Sequence, residues 1–316
     1  MKKSAGDISS PDPSVVTTPL PTYCLVTPAR NEADFIALTL QSVVRQTILP
    51  LKWVIVSDGS TDGTDEIVTQ YVDLYEWIEL VRMPLRVERH FAGKVLAFNA
   101  GFERVKASNC DLIGSLDADI SFDENYFSFL LGRFAENPHL GVGGTPFREG
   151  CTQYDYRFSR KEHVSGACQL FRRDCFEAIG GFIPRKEGGI DLTAVVTARM
   201  KGWETETFTE KHCNHHRPMG SANNNVLSAL FKSGYGDYQL GVHPVWQLFR
   251  SIYQMSRKRI IIGGGMLLLG YLYAMLTLAG KPVSKEFIEF RRREQMTWLR
   301  GYIGKLVHHL ANRVSL

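Results

Sequence analysis

The sequence has few cysteines and no C-x-x-C pair among its 316 residues. Six cysteines are too sparse to hold a chain of this length together by disulfides, which excludes a disulfide-rich secreted scaffold. Nor does an apolar block follow the basic start Met1-Lys2-Lys3, so we expect no export signal. We therefore expect a cytosolic setting and six reduced cysteines: Cys24, Cys110, Cys151, Cys168, Cys175 and Cys213.

The sequence also lacks a strong charge of one sign. Its 37 basic and 33 acidic residues leave a net charge of +4, which does not by itself indicate a nucleic-acid partner, and we expect none. It has no internal repeat. A hydrophobic content of 44% is enough for a packed core, so a disordered or fibrous protein is excluded. Only residues 1–21, rich in Ser, Thr and Pro, predict a disordered tail.

Apolar residues up to position 116 fall into short continuous runs, typical of buried strands, that alternate with segments of helical spacing. The pattern predicts strands at Tyr23–Pro28, Trp53–Val56, Ile78–Met83 and Leu112–Leu116, and helices at Phe35–Val44, 65–75 and Lys94–Val105. Such alternation indicates an α/β protein with a doubly wound, mainly parallel sheet. Further on, the pattern predicts a strand at His163–Phe171 and helices from Asp174 and over Asp191–Lys201, which we interpret as the acceptor half of a site.

Polar loops follow three of the predicted strands: Arg30–Glu32, Asp58–Thr64 and Asp117–Asp119. Because ligands bind at the carboxyl ends of the strands in open parallel sheets, we expect these loops to converge on one edge. Asp117 and Asp119 form a D-x-D pair, whose carboxylates suit a divalent metal, Mg²⁺ or Mn²⁺. A D-x-D pair alone is common, and a solvated turn is the alternative interpretation.

Six short motifs follow one another in a specific order: residues 28–32 (PARNE), 57–64 (SDGSTDGT), 93–94 (GK) with 99–101 (NAG), 117–119 (DAD), 165–167 (SGA) and 180–182 (GGF). In this order and spacing the chain resembles glycosyltransferase family 2 over about residues 22–217. The resemblance implies the GT-A fold, with a Rossmann-like nucleotide-binding half, and inverting transfer of a sugar from a nucleotide-diphosphate donor.

The resemblance also implies roles for individual residues. Pro28, Arg30 and Glu32 would line the nucleotide pocket, Asp58 would accept hydrogen bonds from the base, Lys94 would lie near the nucleotide, Asp117 would face the ribose and the metal, and Asp119 would hold the metal. Structural alternatives remain for single residues: Glu32 at a helix N-terminus, Asp58 in a turn and Lys94 in a solvated first turn.

The catalytic base motif of the family is degraded in this chain. Members carry Glu-Asp followed one residue later by Asp-Leu, whereas residues 188–193 read GGIDLT. Aligning the two Asp-Leu pairs leaves the following helix two residues too long. The other register restores the length and makes Asp191 the base, with Ile190 and Thr193 in place of the flanking acids. Asp191 as a helix cap is the alternative.

Residues 212–217 (HCNHHR) form a second polar cluster. Adjacent histidines on a strand point to opposite faces, so only one reaches a metal. By the resemblance, His215 would complete the metal site and Arg217 would contact phosphate; surface or packing histidines are the alternative. The Gln-x-x-Arg-Trp motif of processive members is missing from Gln295–Arg300, so we expect one sugar per encounter.

Residues 260–280 form an apolar segment without a single charge. A helix of 21 residues would be about 31 Å long, so a single transmembrane span is possible. Basic residues flank both ends, and Gly263–Gly265 should break a straight helix, which favours a re-entrant or interfacial segment. Apolar and basic residues interleave further on, as in an amphipathic helix on a membrane surface. Packing on the catalytic domain, or a dimer contact, is the alternative.

These patterns together predict a disordered tail (1–21), a GT-A domain (22–220) and a helical, membrane-associating C-terminal module (221–316). The expected activity is metal-dependent, inverting transfer to a lipid-linked or polysaccharide acceptor at the cytoplasmic face of a membrane. A nucleotide-sugar-binding protein without transferase activity is the alternative. A nucleotidyltransferase is disfavoured because the loop after the first strand has no glycine.

Overall fold

The structure, a computed structural model, describes residues 19–85, 91–150, 160–185, 188–217, 226–257 and 261–314. Most of the predicted tail, Cys151 and the first residue of the apolar segment lie outside these ranges. The five described cysteines are free thiols and are all buried. The expectation of reduced cysteines is therefore met where the chain is described.

Ten strands and ten helices are described. They are β1 (Tyr23–Ala29), α1 (Ile36–Val44), β2 (Lys52–Asp58), α2 (Thr64–Val72), β3 (Ile78–Met83), α3 (Phe91–Val105), β4 (Leu112–Leu116), β5 (Ile120–Ser121), α4 (Tyr126–Glu136), β6 (Leu140–Gly144), β7 (Phe147–Arg148), β8 (Cys168–Arg172), α5 (Arg173–Ala178), α6 (Ile190–Met200), β9 (Glu204–Thr207), β10 (Cys213–His215), α7 (Val226–Gln239), α8 (Pro244–Arg257), α9 (Ile261–Leu276) and α10 (Lys285–Val314).

The central sheet has seven strands in the order β3-β2-β1-β4-β8-β6-β9. Strands β1, β2, β3 and β4 pair with one another in parallel, as the alternating pattern predicts. Strand β8 is antiparallel to both β4 and β6. The doubly wound, mainly parallel sheet is therefore confirmed, with one reversed strand in its second half.

The sheet is buried on both faces by helices, as expected for its near-continuous apolar strands. Trp53 on β2 has no exposed surface, and its indole N–H donates to the Thr27 hydroxyl at 2.9 Å. Both polar groups of this pair are thus satisfied inside the core, where an unpaired donor would be costly. The pair ties β1 to β2, the two strands whose ends carry the first two polar loops.

A second, three-stranded sheet lies beside the first, in the order β5-β10-β7. His215 in β10 is paired in register with Ile120 in β5. Because Ile120 directly follows Asp119, this pairing brings two segments separated by nearly a hundred residues to the same place. The short sheet thereby places the histidine cluster next to the D-x-D pair.

The strand predicted at His163–Phe171 begins five residues later, at Cys168. The backbone N–H of His163 instead donates to the Arg160 carbonyl at 3.1 Å, which forms a turn. Polar residues and Gly166 precede the buried run, so the sequence had only weak strand propensity there. The early start was therefore a wrong prediction.

Helix α9 runs through Gly263–Gly265 without interruption, so the predicted break is wrong. The reason lies in the packing against its neighbours. Gly264 lies against the backbone of Ser251 in α8, and Gly270 against Phe231 in α7, both closer than a methyl group would permit. Such close packing offsets the low helix propensity of glycine. Among the described residues no helix has both the length and the hydropathy of a membrane span, so the single span considered for residues 260–280 is not found there.

Helix α10 packs on the α/β part of the chain through α6. The Glu294 carboxylate accepts two hydrogen bonds from Arg199, from Nε at 2.7 Å and from Nη2 at 3.0 Å. This two-pronged geometry is the strongest form of the arginine–carboxylate pair. Packing on the catalytic domain, one of the two alternatives for this region, therefore holds for α10.

Substitution Gly270→Ala should destabilise the α7–α9 contact, because its methyl group would overlap the Phe231 carbonyl. Backbone on the other side leaves little room to adjust, so we expect a loss of about 1–3 kcal/mol in the free energy of unfolding. Gly265→Ala is the matched control in the same helix. Its methyl group meets open space, and better helix propensity should stabilise the protein by up to about 1 kcal/mol. Equal melting temperatures for both variants would contradict the close packing.

Candidate functional site

The polar loops after β1 and β2 lie against each other. The Asn31 side chain accepts a hydrogen bond from the Thr61 backbone at 2.9 Å, and the Asn31 backbone donates to the Ser60 hydroxyl at 3.2 Å. Asn31 has a φ of 56°, an unusual value that asparagine tolerates better than most residues. These bonds join the first two of the three loops that the sequence places at strand ends.

Three acidic side chains at this edge each have a basic partner. Arg30 lies 3.8 Å from Asp58, and Lys94 lies 2.5 Å from Asp117. Glu32 accepts a hydrogen bond from Arg217 at 2.6 Å. The six residues come from widely separated positions. Pro28, the remaining residue of the predicted donor pocket, is partly exposed in β1, beside Val56 of β2.

Asp117, Asp119 and His215 bring one ligand atom each to within 4.8 Å of one another. The Nε2 atom of His215 is 3.6 Å from Asp119, and its Nδ1 atom is 3.5 Å from Glu149. The Nδ1 atom is buried without a hydrogen bond among the described residues. Two carboxylates and one imidazole are a suitable donor set for Mn²⁺ or Mg²⁺, and the residues present fit such an ion.

The electrostatics at the end of β4 reflect crowded charges. Burial raises the pKa of the Asp117 carboxyl and the nearby Asp119 charge raises it further, whereas Lys94 lowers it. Burial alone would lower the pKa of Lys94, but the attraction of Asp117, with a contribution from Asp191, holds it above its ordinary value. Lys94 therefore stays protonated at this edge, and a neighbouring cation stabilises the charged form of Asp117.

Asp191 lies in the first turn of α6. Gly189 is the N-cap and has a φ of 73°, so the alternative in which Asp191 caps the helix is wrong. The Asp191 carboxylate packs directly on Gly166, so closely that any side chain there would overlap it. The adjacent Ala167 carbonyl accepts a hydrogen bond from the Asp117 backbone at 2.9 Å. One short segment thus connects Asp191 with the D-x-D pair.

Arg217 follows β10 and reaches back to the loop after β1. Besides Glu32, it donates to the Asn31 carbonyl at 2.9 Å and lies 3.9 Å from Asp119. Its guanidinium also lies over the Phe35 ring, 5.7 Å from the ring centre. Arg217 therefore lies at the same edge as the D-x-D pair, and its charge is already paired there.

The other two histidines of the cluster take no part in the ligand set. His216 shares a hydrogen bond with the Ser121 hydroxyl at 2.8 Å. Burial lowers the pKa of His212, and the charge of Arg148 adds to the effect. The prediction that only one histidine reaches the metal ligands agrees with this geometry.

Sequence reasoning missed Glu149 and Gly166. Glu149 follows a two-residue strand that only pairing with β10 reveals, so nothing local marks it. Gly166 was part of the 165–167 motif, but its contact with Asp191 depends on the packing of α6. The Glu149 carboxylate lies 3.5 Å from the His215 Nδ1 atom, the ring nitrogen that does not face Asp119.

Substitution Asp119→Asn should weaken Mn²⁺ binding, because the amide removes a charge and a strong ligand atom. Changes to residues that only orient ligands cost about 10–100-fold in affinity, so loss of a ligand should cost at least tenfold. Titration followed by electron paramagnetic resonance of Mn²⁺ measures the affinity. Asp123→Asn is the control, since Asp123 pairs with Lys211 at 2.6 Å outside the triad. Unchanged affinity in Asp119→Asn would contradict the assignment of the triad.

Solved glycosyltransferase structures share this fold. The mannosyltransferase PcManGT from Pyrobaculum calidifontis, in complex with GDP-Man and Mn²⁺, superposes with a TM-score of 0.55 at 16% identity, covering 89% of this chain and 81% of that one. S. aureus TarS 1-349 in complex with UDP-GlcNAc has a TM-score of 0.53 at 13% identity, covering 85% and 78%. At such identities the likeness concerns the fold, which is GT-A.

Sequence relatives point to the same family. The chain is 27% identical over 275 residues to glycosyltransferase AglE of Haloferax volcanii, covering 81% of this chain and 83% of that protein. It is 25% identical over 287 residues to the poly-beta-1,6-N-acetyl-D-glucosamine synthase of Staphylococcus epidermidis, covering 85% of this chain and 60% of the synthase. The model of glycosyl transferase family 2 matches residues 24–190, more than half of the chain. The protein therefore belongs to glycosyltransferase family 2 and is a transferase with the GT-A fold.

Proposed function

We propose that this protein is an inverting, metal-dependent glycosyltransferase that moves one sugar from a nucleoside-diphosphate sugar to a lipid-linked or polysaccharide acceptor. One observation carries the proposal. Asp191, the candidate base, packs on Gly166 next to the segment that bonds to Asp117, so base and metal ligands share one site. The base and the metal must serve the same anomeric carbon, because the acceptor oxygen attacks this carbon from the face opposite the departing diphosphate.

The proposed donor pocket is built from the loops after β1, β2 and β4. Pro28, Arg30 and Glu32 line it, Asp58 accepts hydrogen bonds from the base, and Lys94 and Asp117 lie towards the ribose and phosphates. The complexes of PcManGT with GDP-Man and Mn²⁺ and of TarS with UDP-GlcNAc support a nucleotide-sugar donor. The name of the Staphylococcus epidermidis synthase supports a glycan acceptor.

The proposed reaction is a single displacement. Asp191 accepts the proton of an acceptor hydroxyl while that oxygen bonds to the anomeric carbon, and the bond from this carbon to the diphosphate breaks on the opposite face. The configuration therefore inverts. Lys94 and Arg217 hold positive charge near the leaving group. Asp117, Asp119 and His215 would hold Mg²⁺ or Mn²⁺, which neutralises charge on a departing diphosphate.

A second candidate is a nucleotide-sugar-binding protein without transferase activity, acting in a glycan assembly complex. The residues around Asp191 favour it: Ile190 and Thr193 stand where the family carries the acids that flank the base. However, Ile190 and Thr193 are both buried, whereas Asp191 is partly exposed in the site. A partly exposed carboxylate is accessible to an acceptor hydroxyl, and a general base requires such access.

We also propose that the C-terminal helices hold the enzyme against the cytoplasmic face of a membrane. Exposed apolar side chains line α8 at Val245, Leu248 and Ile252, and α9 at Ile262, Leu269 and Leu276. Their spacing places each set on one helix face. Lys281 and Lys285 follow α9 and supply positive charge suited to anionic lipid.

Substitution Asp191→Asn should abolish transfer while leaving donor binding intact, because the amide accepts no proton. We expect turnover to fall by about 10²- to 10⁴-fold, the usual contribution of a general base. The assay scores nucleoside diphosphate released from UDP-, GDP- and dTDP-sugars, with and without Mn²⁺. Asp174→Asn is the control, an exposed acid in the first turn of α5. Equal turnover by wild type and Asp191→Asn would place the base elsewhere, and donor binding without turnover would favour the second candidate.

Replacing Leu269 and Leu276 together by Ser should release the protein from vesicles. Burying one leucine contributes about 1.5–3 kcal/mol, so losing two should weaken partitioning by more than tenfold. Co-sedimentation with vesicles of anionic and of zwitterionic phospholipid measures the effect. Leu74→Ser is the control, because Leu74 is 74% exposed on the GT-A domain. Equal sedimentation of the double variant and the control would contradict this membrane surface.

A further inference from the structure

A groove lies between the GT-A domain and helix α10. Its volume is about 330 Å³, at the small end of the range for ligand pockets. The lining residues are Arg160, Glu162, Phe290, Arg293, Glu294, Thr297 and Trp298. The last five recur at intervals of three and four residues, so they form a single stripe along α10. No residue of this groove belongs to the proposed donor or metal site.

The chemistry of the lining suits a neutral ligand with many hydroxyl groups. Two guanidinium groups face two carboxylates, so the formal charge of the groove is zero. A phosphate ligand would favour an excess of positive charge, which this groove lacks. Carboxylates and guanidinium groups bind hydroxyl groups well, and the rings of Phe290 and Trp298 offer apolar faces. A sugar ring has both a rim of hydroxyls and apolar faces of C–H groups.

Two of the side chains that line the groove, Glu294 and Trp298, are held in place before any ligand binds. Glu294 is fixed by Arg199, which also donates to the Glu162 carbonyl at 2.8 Å. Trp298 stacks on Tyr302 with ring centres 5.3 Å apart and planes at 4°. Ligand binding therefore need not order these two side chains, and that lowers its entropic cost.

Helix α6 connects one wall of the groove with the candidate base. Arg199, which holds one wall of the groove, and Asp191 lie eight residues apart on α6, or about 12 Å along the helix axis. A short oligosaccharide spans such a distance. A glycan with its terminal hydroxyl at Asp191 can therefore place an inner sugar ring between α10 and Arg160.

We propose that this groove is an acceptor subsite that binds an inner sugar ring of a neutral glycan. The assignment rests on the proposed function, because it takes the acceptor to be a glycan. In this assignment the protein binds the acceptor at an inner ring as well as at the terminal ring that is glycosylated. Acceptors of several sugars should consequently bind better than single sugars.

The test measures binding directly. Saturation-transfer NMR follows oligosaccharides of glucose, of mannose and of N-acetylglucosamine, from one to six units, with inorganic phosphate as a competitor. We expect at least one series to bind, more tightly with length and without competition from phosphate. Arg293→Ala should weaken that binding by about fivefold, the value of one hydrogen bond. Arg300→Ala, an exposed arginine of α10 outside the groove, should leave it unchanged.

A second variant, Trp298→Leu, keeps an apolar side chain but removes the ring face, and should also weaken binding. Donor turnover by the wild type is assayed in parallel. Turnover without binding of any oligosaccharide would overturn the groove assignment alone. Oligosaccharide binding that depends on Arg293, without any donor turnover, would overturn the proposed function alone. Binding equally affected by Arg293→Ala and Arg300→Ala, or displaced by phosphate, would also overturn the groove assignment.

Discussion

The site depends on the pairing of carboxylates with basic side chains where strands β1, β2 and β4 end. A parallel sheet brings these ends together, and with them several carboxylates that would repel one another. Each has a cation close by: Arg30 for Asp58, Lys94 for Asp117, and Arg217 for Glu32. The cations come from different elements, so their pairing also fixes the loops relative to each other.

This balance constrains how the proposed ligands bind. A divalent cation alone adds positive charge next to Lys94 and Arg217, whereas a nucleoside diphosphate alone adds negative charge next to Asp117 and Asp119. When a divalent metal and a diphosphate bind together, their charges nearly cancel. Coulomb energies at separations of about 4 Å amount to several kcal/mol near a protein surface, so joint binding is strongly favoured over either alone. In the proposed reaction, the donor therefore enters the site with its metal.

The sequence predicted the first half of the fold well because each element there is marked locally. Ile78–Met83 and Leu112–Leu116 have the predicted bounds at both ends, since an apolar run and its polar neighbours define them. Strands β7 and β10 have two and three residues, too few for any periodicity. They exist only through pairing with each other and with β5. Yet this pairing brings His215 to Asp119. Sequence periodicity therefore cannot reveal this part of the site, because tertiary contacts create it.

Helix α6 connects the candidate site with the C-terminal helix α10. Its first turn carries Asp191 against Gly166, and its last turn carries Arg199, held by Glu294 of α10. A helix fixed at both ends cannot rotate or slide without breaking one contact. The Arg199–Glu294 pair must stay hydrogen-bonded, because removing one partner of a buried pair costs about 3–5 kcal/mol of stability. Helix α10 is therefore part of the support that positions Asp191, and a GT-A domain ending before α10 would leave Arg199 without this partner.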